Sequence, residues 1–600
     1  MAENFFTDFP DRIKALERCG LNEIYEDLET AFGEKGFYSS ASDAMDFYKG
    51  ALQEIGKFCA NEVRPSAARI DDEGASLADG TVTLPKDLES HLRRCVELGV
   101  FAAPVARRYG GLNMPRAVQL VALELFGHAC PNTALTVAAF SMADFIQAWG
   151  TEDQKALYMA KLLSNEWRTS MALTEPGAGS DLGSLRSSAR RDGDHWLIDG
   201  TKQFISYGDA HISFALVRTD PASRGLKGLS VLIVPRTVDG RENFRVTKIE
   251  DKVCLHGSPT CELVFENSRG ELLGPEGEGF RVMADLMNGA RLAMAALAVG
   301  IAAAALDEAR RYGRTRVTMG RPIIEHPMVA DMLFEMETEI HAMRALVLEA
   351  GLAFDKMSTA KALGRTAEYE RWKKRYRRLT PLCKYLCAER TIAIAKNAMQ
   401  IFGGYGVCRD YPAERLLREA LIYPIYEGTS QIQSLMVLKD TMKDIAGQAA
   451  GFLGSLAGAW AESLVARDRV KGVLLEARNE LNLAIKSILM GILKDKFRSD
   501  IDALKQSKIQ EFLRDFSLKL FSEKTDLTHP FLCAERLTRI TADYYALKSM
   551  ADRCPPGDAD YRRKVLDFAA MALPRMRYEN TVMRERLPLT LDYMARQPKA

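Results

Sequence analysis

The period of the apolar residues changes twice along this chain, and those two changes restrict the folds open to it. From Ala44 to about Asn165 apolar residues recur three and four apart, as in Met45–Val63, Leu84–Leu98 and Arg116–Phe126, the spacing of amphipathic helices. Near Thr169 the period drops to two. Ser170-Met171-Ala172-Leu173-Thr174 reads as a strand, followed by His195–Ile198, Gln203–Ser206, Ser213–Arg218, Leu229–Pro235, Phe244–Ile249 and Cys261–Phe265. Turn residues such as Asp192-Gly193-Asp194, Asp199-Gly200 and Asp209-Ala210 separate them. Short strands at this spacing predict a small antiparallel barrel or sandwich. After Gly274-Pro275-Glu276-Gly277-Glu278-Gly279 the helical period returns in Phe280–Tyr312, Pro327–Phe354, about Leu382–Phe402 and Ser430–Ile445. Four long amphipathic helices are enough for a four-helix bundle. No βαβ alternation occurs, which excludes a doubly wound nucleotide fold.

The chain of 600 residues exceeds one ordinary core. Residues 1 to about 40 are polar and aromatic, with helix-like spacing in Ile13, Leu16, Leu21 and Ile24. Beyond Ala449-Ala450-Gly451 a further, mostly helical segment runs to Ala600, with Leu474–Leu493, Ile509–Phe521, Pro530–Lys548 and Asp560–Leu573 as examples and a break at Cys554-Pro555-Pro556-Gly557-Asp558. The predicted class is α+β, mostly α: an N-terminal extension (1–40), a helical domain (41–168), a β domain (169–275), a four-helix bundle (276–448) and an added C-terminal helical domain (449–600).

A net charge of +1 gives no global attraction to nucleic acid or membrane. The 11 cysteines include no CxxC pair, and Cys383 and Cys387 lack the second pair a metal site needs. Reduced cysteines in a reducing compartment are expected. Met1-Ala2-Glu3-Asn4 opens no signal peptide, and the most apolar run, Ala293 to Leu306, is too short to span a bilayer, so a cytoplasmic protein with no membrane span is expected. The basic run Arg371–Arg378 is expected to be a solvated helix face, with a phosphate or an acidic partner as the alternative.

Two stretches carry chemistry. In Tyr423-Pro424-Ile425-Tyr426-Glu427-Gly428-Thr429-Ser430-Gln431-Ile432-Gln433, one carboxylate stands between an aromatic ring and a glycine. Desolvation there would raise its basicity, which suits a base that takes a proton from carbon. The plainer reading is a helix start capped by Gly428-Thr429-Ser430. The second stretch, Thr174-Glu175-Pro176-Gly177-Ala178-Gly179-Ser180-Asp181, is a Gly-rich loop at a strand end. Its N–H groups can reach a flat or anionic ligand. No Lys follows its last glycine and no helix opens there, so it is not a P-loop.

With the order of its parts, these motifs make the chain resemble the acyl-CoA dehydrogenase family over roughly residues 45–445. Met171–Asp181 resembles the family loop that holds the flavin and the thioester end of the substrate, which implies roles for Met171, Leu173, Thr174, Gly179 and Ser180. Gly200-Thr201-Lys202-Gln203-Phe204-Ile205-Ser206 resembles the strand beside the flavin ring, implying Phe204, Ile205 and Ser206. Gln400-Ile401-Phe402-Gly403-Gly404-Tyr405-Gly406 resembles the segment that reaches a flavin across a subunit interface, implying Gln400, Gly403 and Gly404. Arg316 matches an arginine on the neighbouring subunit's flavin diphosphate, and His326 a flavin-contacting position. The run from Gln400 to Glu427 has the family's spacing, which sets Glu427 on the catalytic base, Gly428 beside the substrate, and Thr429 and Gln431 on the cofactor side. Ser180, Asn288 and Arg291 take substrate-facing positions.

The resemblance implies FAD as cofactor, an acyl-CoA substrate, a 2,3-enoyl-CoA product, an electron-transfer flavoprotein as acceptor, a homodimer and a place in fatty acid β-oxidation. An enoyl-CoA reductase or an acyl-CoA oxidase would use the same site. A non-catalytic CoA-binding scaffold would show loss of the base or of the flavin loop, and neither is lost. The chain departs from the family in places. Ala290 stands where some members carry the base, so Glu427 has no competitor, and Asn288 replaces a frequent Asp. Pro327 replaces the usual Gln after His326. Arg107-Arg108 replace an acidic pair before Tyr109-Gly110-Gly111, and Pro424 stands just ahead of the base. The N-terminal extension, the extra C-terminal domain and Leu255-His256-Gly257-Ser258-Pro259-Thr260 point to a longer bacterial branch.

Overall fold

A computed structural model describes residues 3–32, 36–447, 462, 467–497 and 527–597. The predicted helix Ile509–Phe521 lies outside the described residues. The chain divides into two compact units: residues 1–333, 350–376 and 391–423 form one, and 334–349, 377–390 and 424–600 the other.

The first unit opens with helices α1 (Pro10–Arg18), α2 (Tyr25–Ala31), α3 (Ala41–Phe58), α4 (Arg64–Glu73), α5 (Lys86–Glu97), α6 (Arg116–Ala129), α7 (Pro131–Phe140), α8 (Ala143–Trp149) and α9 (Glu152–Leu163), with a short hairpin, β1 (Ser76–Ala78) and β2 (Thr81–Thr83), between α4 and α5. The N-terminal extension is locked onto these helices by Arg12, which is 1% exposed. Its Nε donates to Glu124 Oε1 at 2.8 Å, its Nη1 to the Phe5 carbonyl and its Nη2 to His128 Nδ1 at 2.7 Å. Burial pushes the His128 imidazole down to about 4, which keeps it the neutral acceptor this arrangement requires. Arg107, the departure noted before Tyr109, pairs with the buried Glu29 at 2.8 Å and stacks its guanidinium 3.8 Å from the Phe37 ring centroid. The lost acidic pair is therefore replaced by a docking point for the extension.

The β domain comprises β3 (Thr169–Ala172), β4 (Ser188–Asp192), β5 (His195–Ser206), β6 (Ile212–Arg218), β7 (Leu229–Pro235), β8 (Thr237–Val238), β9 (Arg241–Glu242), β10 (Arg245–Ile249) and β11 (Thr260–Leu273). Strands β5, β4, β6, β7 and β11 pair in a closed ring. The pairing is antiparallel except on one edge of β6, where β3 and then Ser188 of β4 run parallel to it. Strands β6 and β7 are buried on both faces. Ala215, Val217, Leu232 and Val234 point into the barrel with Trp196, Leu263 and Phe265. Phe214, Leu216, Val231 and Ile233 point out, onto Phe145, Ile146, Tyr158 and Met159 of α8 and α9.

One sequence expectation fails in the barrel. Asp199-Gly200 is not a turn: β5 runs unbroken through it, opposite a bulge in β11 where Glu266 and Asn267 face the single residue Asp199. A side chain at Gly200 would stand 2.7 Å from Ser187 Cα, so the crowded backbone, not a reversal, demands glycine.

Helix α10 (Gly279–Thr315) follows. Its apolar stretch is long enough for a bilayer, yet 89% of it is buried inside the protein, where it serves as a core helix. A hairpin, β12 (Val317–Thr318) and β13 (Arg321–Pro322), leads to α11 (Pro327–Ala362), α12 (Thr366–Phe402), α13 (Pro412–Ala420) and α14 (Ser430–Gly447). The third long helix starts sixteen residues earlier than Leu382, at Thr366, because Pro381 lies inside it without ending it. The basic run is thus part of α12. It is more than a solvated face: within the second unit Arg377 pairs with Asp440 at 2.7 Å and Arg378 with Asp444 of α14.

In the second unit the helices Arg469–Phe497, Thr528–Asp552 and Ala559–Glu585 pack on one another. A charged network ties them to the segments of α11 and α12 that belong to this unit. Arg575 meets both Glu339 and the buried Asp543, and Arg390 meets the same two carboxylates.

Candidate active site

The Gly-rich loop leaves β3 through a tight turn. Glu175 and Ala178 exchange N–H···O bonds of 3.1 and 3.0 Å across Pro176-Gly177, with Gly177 at φ +85°. Proline second and a left-handed glycine third make a type II turn. Lys202, fully buried on β5, holds the turn from beneath: its Nζ donates to the Leu173 and Leu216 carbonyls at 2.9 and 2.6 Å and to Glu175 Oε1 at 2.8 Å. Burial pushes the ammonium down to about 8, so it is still charged at neutral pH. Burial also works to raise the Glu175 carboxyl. Lys202 and the N–H groups of Arg186 and Ser187 outweigh it and hold that carboxyl below its usual value.

The next residue of β5 joins the two predicted flavin segments, since Gln203 N–H donates to the Thr174 carbonyl at 2.8 Å. Here Gln203 and Phe204 oppose the single residue Glu262 of β11, a second bulge. The extra residue turns Phe204 out of the strand alternation. It sits at φ +61° and is 58% exposed, beside the buried Lys202 and Ile205. An exposed aromatic held in a left-handed conformation is an uncommon and costly presentation in a strand.

The predicted residues of this region divide by what they expose. Met171 and Thr174 are half-buried, Gly179, Ser180 and Phe204 are exposed, and Ser206 is half-buried. Leu173 and Ile205 give their side chains to the core, so only their main chain can meet a ligand. Helix α10 lies against the same region, with Val282 and Met283 packed in one cluster with Leu173 and Ala178. Further along it, Arg291 is 5% exposed and donates from Nη1 to Asn288 Oδ1 at 3.0 Å. Asn288 therefore orients Arg291 with the oxygen expected to face substrate.

Arg316 ends α10 and is exposed, pairing with no carboxylate among the described residues. His326 Nε2 lies 3.1 Å from Thr318 Oγ1 and 3.2 Å from its carbonyl, which fixes the ring against β12. Gln400, Gly403 and Gly404 are exposed at the end of α12. Tyr312 stacks on Phe402 there, with centroids 4.3 Å apart, which anchors that end to α10. A flavin dinucleotide fits these groups. They offer one exposed ring at Phe204, one exposed cation at Arg316, and open space at Gly177, Gly403 and Gly404, where an added Cβ would meet nothing within 4 Å.

The carboxylate loop belongs to the second unit. Glu427 is half-buried and adopts φ +56°, and Gly428 follows at φ +85°. Ser430 N–H closes the loop onto the Pro424 carbonyl at 2.9 Å, and Ser430 Oγ donates to Glu389 Oε1 at 2.5 Å. Thr429 Oγ1 accepts from Ile432 N–H at 3.3 Å, so the cap reading of this stretch is also met. Gln431 is exposed. Gln433, which ends the quoted stretch but was given no role in the sequence reading, is fully buried and donates from Nε2 to the Glu427 and Gly428 carbonyls at 3.0 and 3.1 Å. Its position four residues after the cap was the available signal. For Lys202 the signal was a charge on the inward side of the β5 alternation.

Residues 49–166, 170–268 and 277–442 match the N-terminal, middle and C-terminal domains of acyl-CoA dehydrogenase. The 3-methylmercaptopropionyl-CoA dehydrogenase of Ruegeria pomeroyi is 32% identical over 466 residues, which is 72% of this chain and 78% of that protein. The butyryl-CoA dehydrogenase of Megasphaera elsdenii superposes with a TM-score of 0.57 at 29% identity, over 65% of this chain and 97% of its own. An acyl-CoA dehydrogenase complexed with FAD, from Bacillus anthracis, shares the fold over 92% of both chains, with a TM-score of 0.72 at 21% identity. Matched in order by all three domains and at this identity over most of its length, the chain belongs to the acyl-CoA dehydrogenase family of oxidoreductases.

Proposed function

We propose that the protein desaturates an acyl-CoA thioester between its α and β carbons, with Glu427 as the base. The observation that carries this is the presentation of Glu427: a half-buried carboxylate held at φ +56° on a loop whose two carbonyls are gripped from behind. A strained, over-determined carboxylate is expected where orientation matters to chemistry. The α-proton passes to the Glu427 carboxylate while the Glu427 N–H, as in the family, holds the thioester oxygen. Arg291, aligned by Asn288, meets the CoA arm, and the Ser180 loop meets the thioester end. Acyl-CoA dehydrogenases bind FAD, and here FAD supplies the acceptor for the β-hydride. Met171, Thr174, Gly179, Ser180, Phe204, Ser206, Thr429 and Gln431 hold it in one subunit, with the main chain of Leu173 and Ile205. Arg316, His326, Gln400, Gly403 and Gly404 serve the flavin of a second.

That division makes the protein a homodimer, with electrons leaving to an electron-transfer flavoprotein. A monomer by light scattering that keeps stoichiometric FAD would refute the assembly. A cytoplasmic setting is supported by the 11 cysteines, none of which is in a disulfide. The decisive test is Glu427→Gln, which keeps size while removing the base. It should purify yellow and bind product-like CoA thioesters, yet reduce its flavin about two to four powers of ten more slowly. Reduction at the native rate would place the base elsewhere.

A further inference from the structure

Gln433 lies on the first turn of α14, fully buried, and touches neither substrate nor cofactor in the proposed reaction. Its side-chain amide has one task among the described residues. The two N–H bonds of Nε2 go to the Glu427 and Gly428 carbonyls at 3.0 and 3.1 Å. The opposite amide orientation would press Oε1 against two carbonyl oxygens, so the donor assignment follows from the chemistry of the partners. Oε1 itself is buried with no partner. An unpaired buried acceptor costs about 1–3 kcal/mol. A leucine or methionine would cap the helix interior without that cost, so the amide is kept for the two carbonyls.

Those carbonyls belong to the two residues of the loop with left-handed backbones, Glu427 at φ +56° and Gly428 at φ +85°. Glutamate does not hold this conformation by preference. A trans peptide points its C=O and N–H in opposite directions. Fixing the Glu427 and Gly428 carbonyls toward Gln433 therefore turns the Gly428 and Thr429 N–H groups the other way, and among the described residues neither of these donates to a protein acceptor. The helix that carries Gln433 is itself fixed, through the bond from Ser430 Oγ to Glu389 Oε1. We propose that Gln433 is a positioning residue for the reaction: its amide locks the Glu427–Gly428 peptides and so sets the direction from which the Glu427 carboxylate meets the α-proton. The inference rests on Glu427 being the base.

Gln433→Met removes the donors at similar volume. Expected is a yellow protein that is folded at the assay temperature and has native affinity for a product-like CoA thioester, whose single-turnover flavin reduction is slower by about tenfold to a hundredfold, the scale of a misplaced catalytic group. Amide exchange at Ser430, whose N–H closes the loop onto the Pro424 carbonyl, should quicken in the apoprotein too. Native rate, or a loss residing wholly in ligand affinity, overturns the proposal. Gln433→Glu is the second arm and decides the matter if the methionine variant does not fold. The introduced carboxyl donates only while protonated, and its burial raises its pKa. The variant-to-native ratio of rates should then rise as pH falls from about 9 to about 6. A flat ratio overturns the proposal. Glu427→Gln run alongside separates the two readings: if it keeps the native rate, the base assignment fails, whatever the Gln433 variants do.

Discussion

Lys202→Met should unsettle the barrel beneath the Gly-rich loop. The pair it breaks is 0% and 5% exposed at 2.8 Å, and the same ammonium satisfies the Leu173 and Leu216 carbonyls. Methionine fills the space but donates nothing. Removing one partner of a buried pair costs about 3–5 kcal/mol, because the other charge is left uncompensated. Glu175 keeps the Arg186 and Ser187 N–H groups, which argues for the lower end. At about 1.2 °C per kcal/mol for a unit of about 390 residues, Tm should fall by about 4–6 °C. The assay is thermal unfolding of the holoprotein with its FAD content. The sign with pH is definite. Glu175 is held below its usual value, so its contribution to stability is present above about pH 4 and is lost as pH falls through the folded value. The gap between native and variant should therefore narrow in acid. In a double-mutant cycle, Glu175→Gln should cost less in the Lys202→Met background than alone. Additive effects, or a Lys202→Met variant within about 0.5 kcal/mol of native, the range of a surface substitution, would refute the reasoning.

Arg12→Met leaves Glu124 buried without its guanidinium, and a loss of about 3–5 kcal/mol should appear with faster proteolysis of the N-terminal extension; a protease-resistant extension would count against it. Glu419, fully buried beside Asn132, is pushed up to about 8 by burial, so its contribution to stability is present at low pH and lost as pH rises toward 8. Glu419→Gln should raise Tm at about pH 8.5 and leave it unchanged at about pH 4; an equal effect at both would show the group to be ionised throughout. Phe204→Ala, at an exposed ring, should move stability by less than about 0.5 kcal/mol yet weaken FAD retention, and unchanged FAD affinity would remove Phe204 from the site.

The change of hydrophobic period, the Gly-rich loop and the carboxylate stretch are local patterns, and the sequence alone determined from them the order of helical, β and helical regions and the candidate base. Two expectations failed where tertiary context outweighed local pattern: α12 begins well before Leu382 and passes through Pro381, and β5 passes through Asp199-Gly200 because β11 supplies its partners on both sides. Only the tertiary structure decided which polar groups meet. Lys202 finds a carboxylate 27 residues back and a carbonyl 14 ahead, and Arg12 finds Glu124 across 112 residues. Arg377 and Arg378 find the carboxylates of α14. Phe204 owes its exposure to a bulge that exists only in register with β11. Periodicity reports which face of an element is buried. It carries no information about which donor, brought from a distant element, will satisfy a buried acceptor, and that pairing is what shapes the loops around this site.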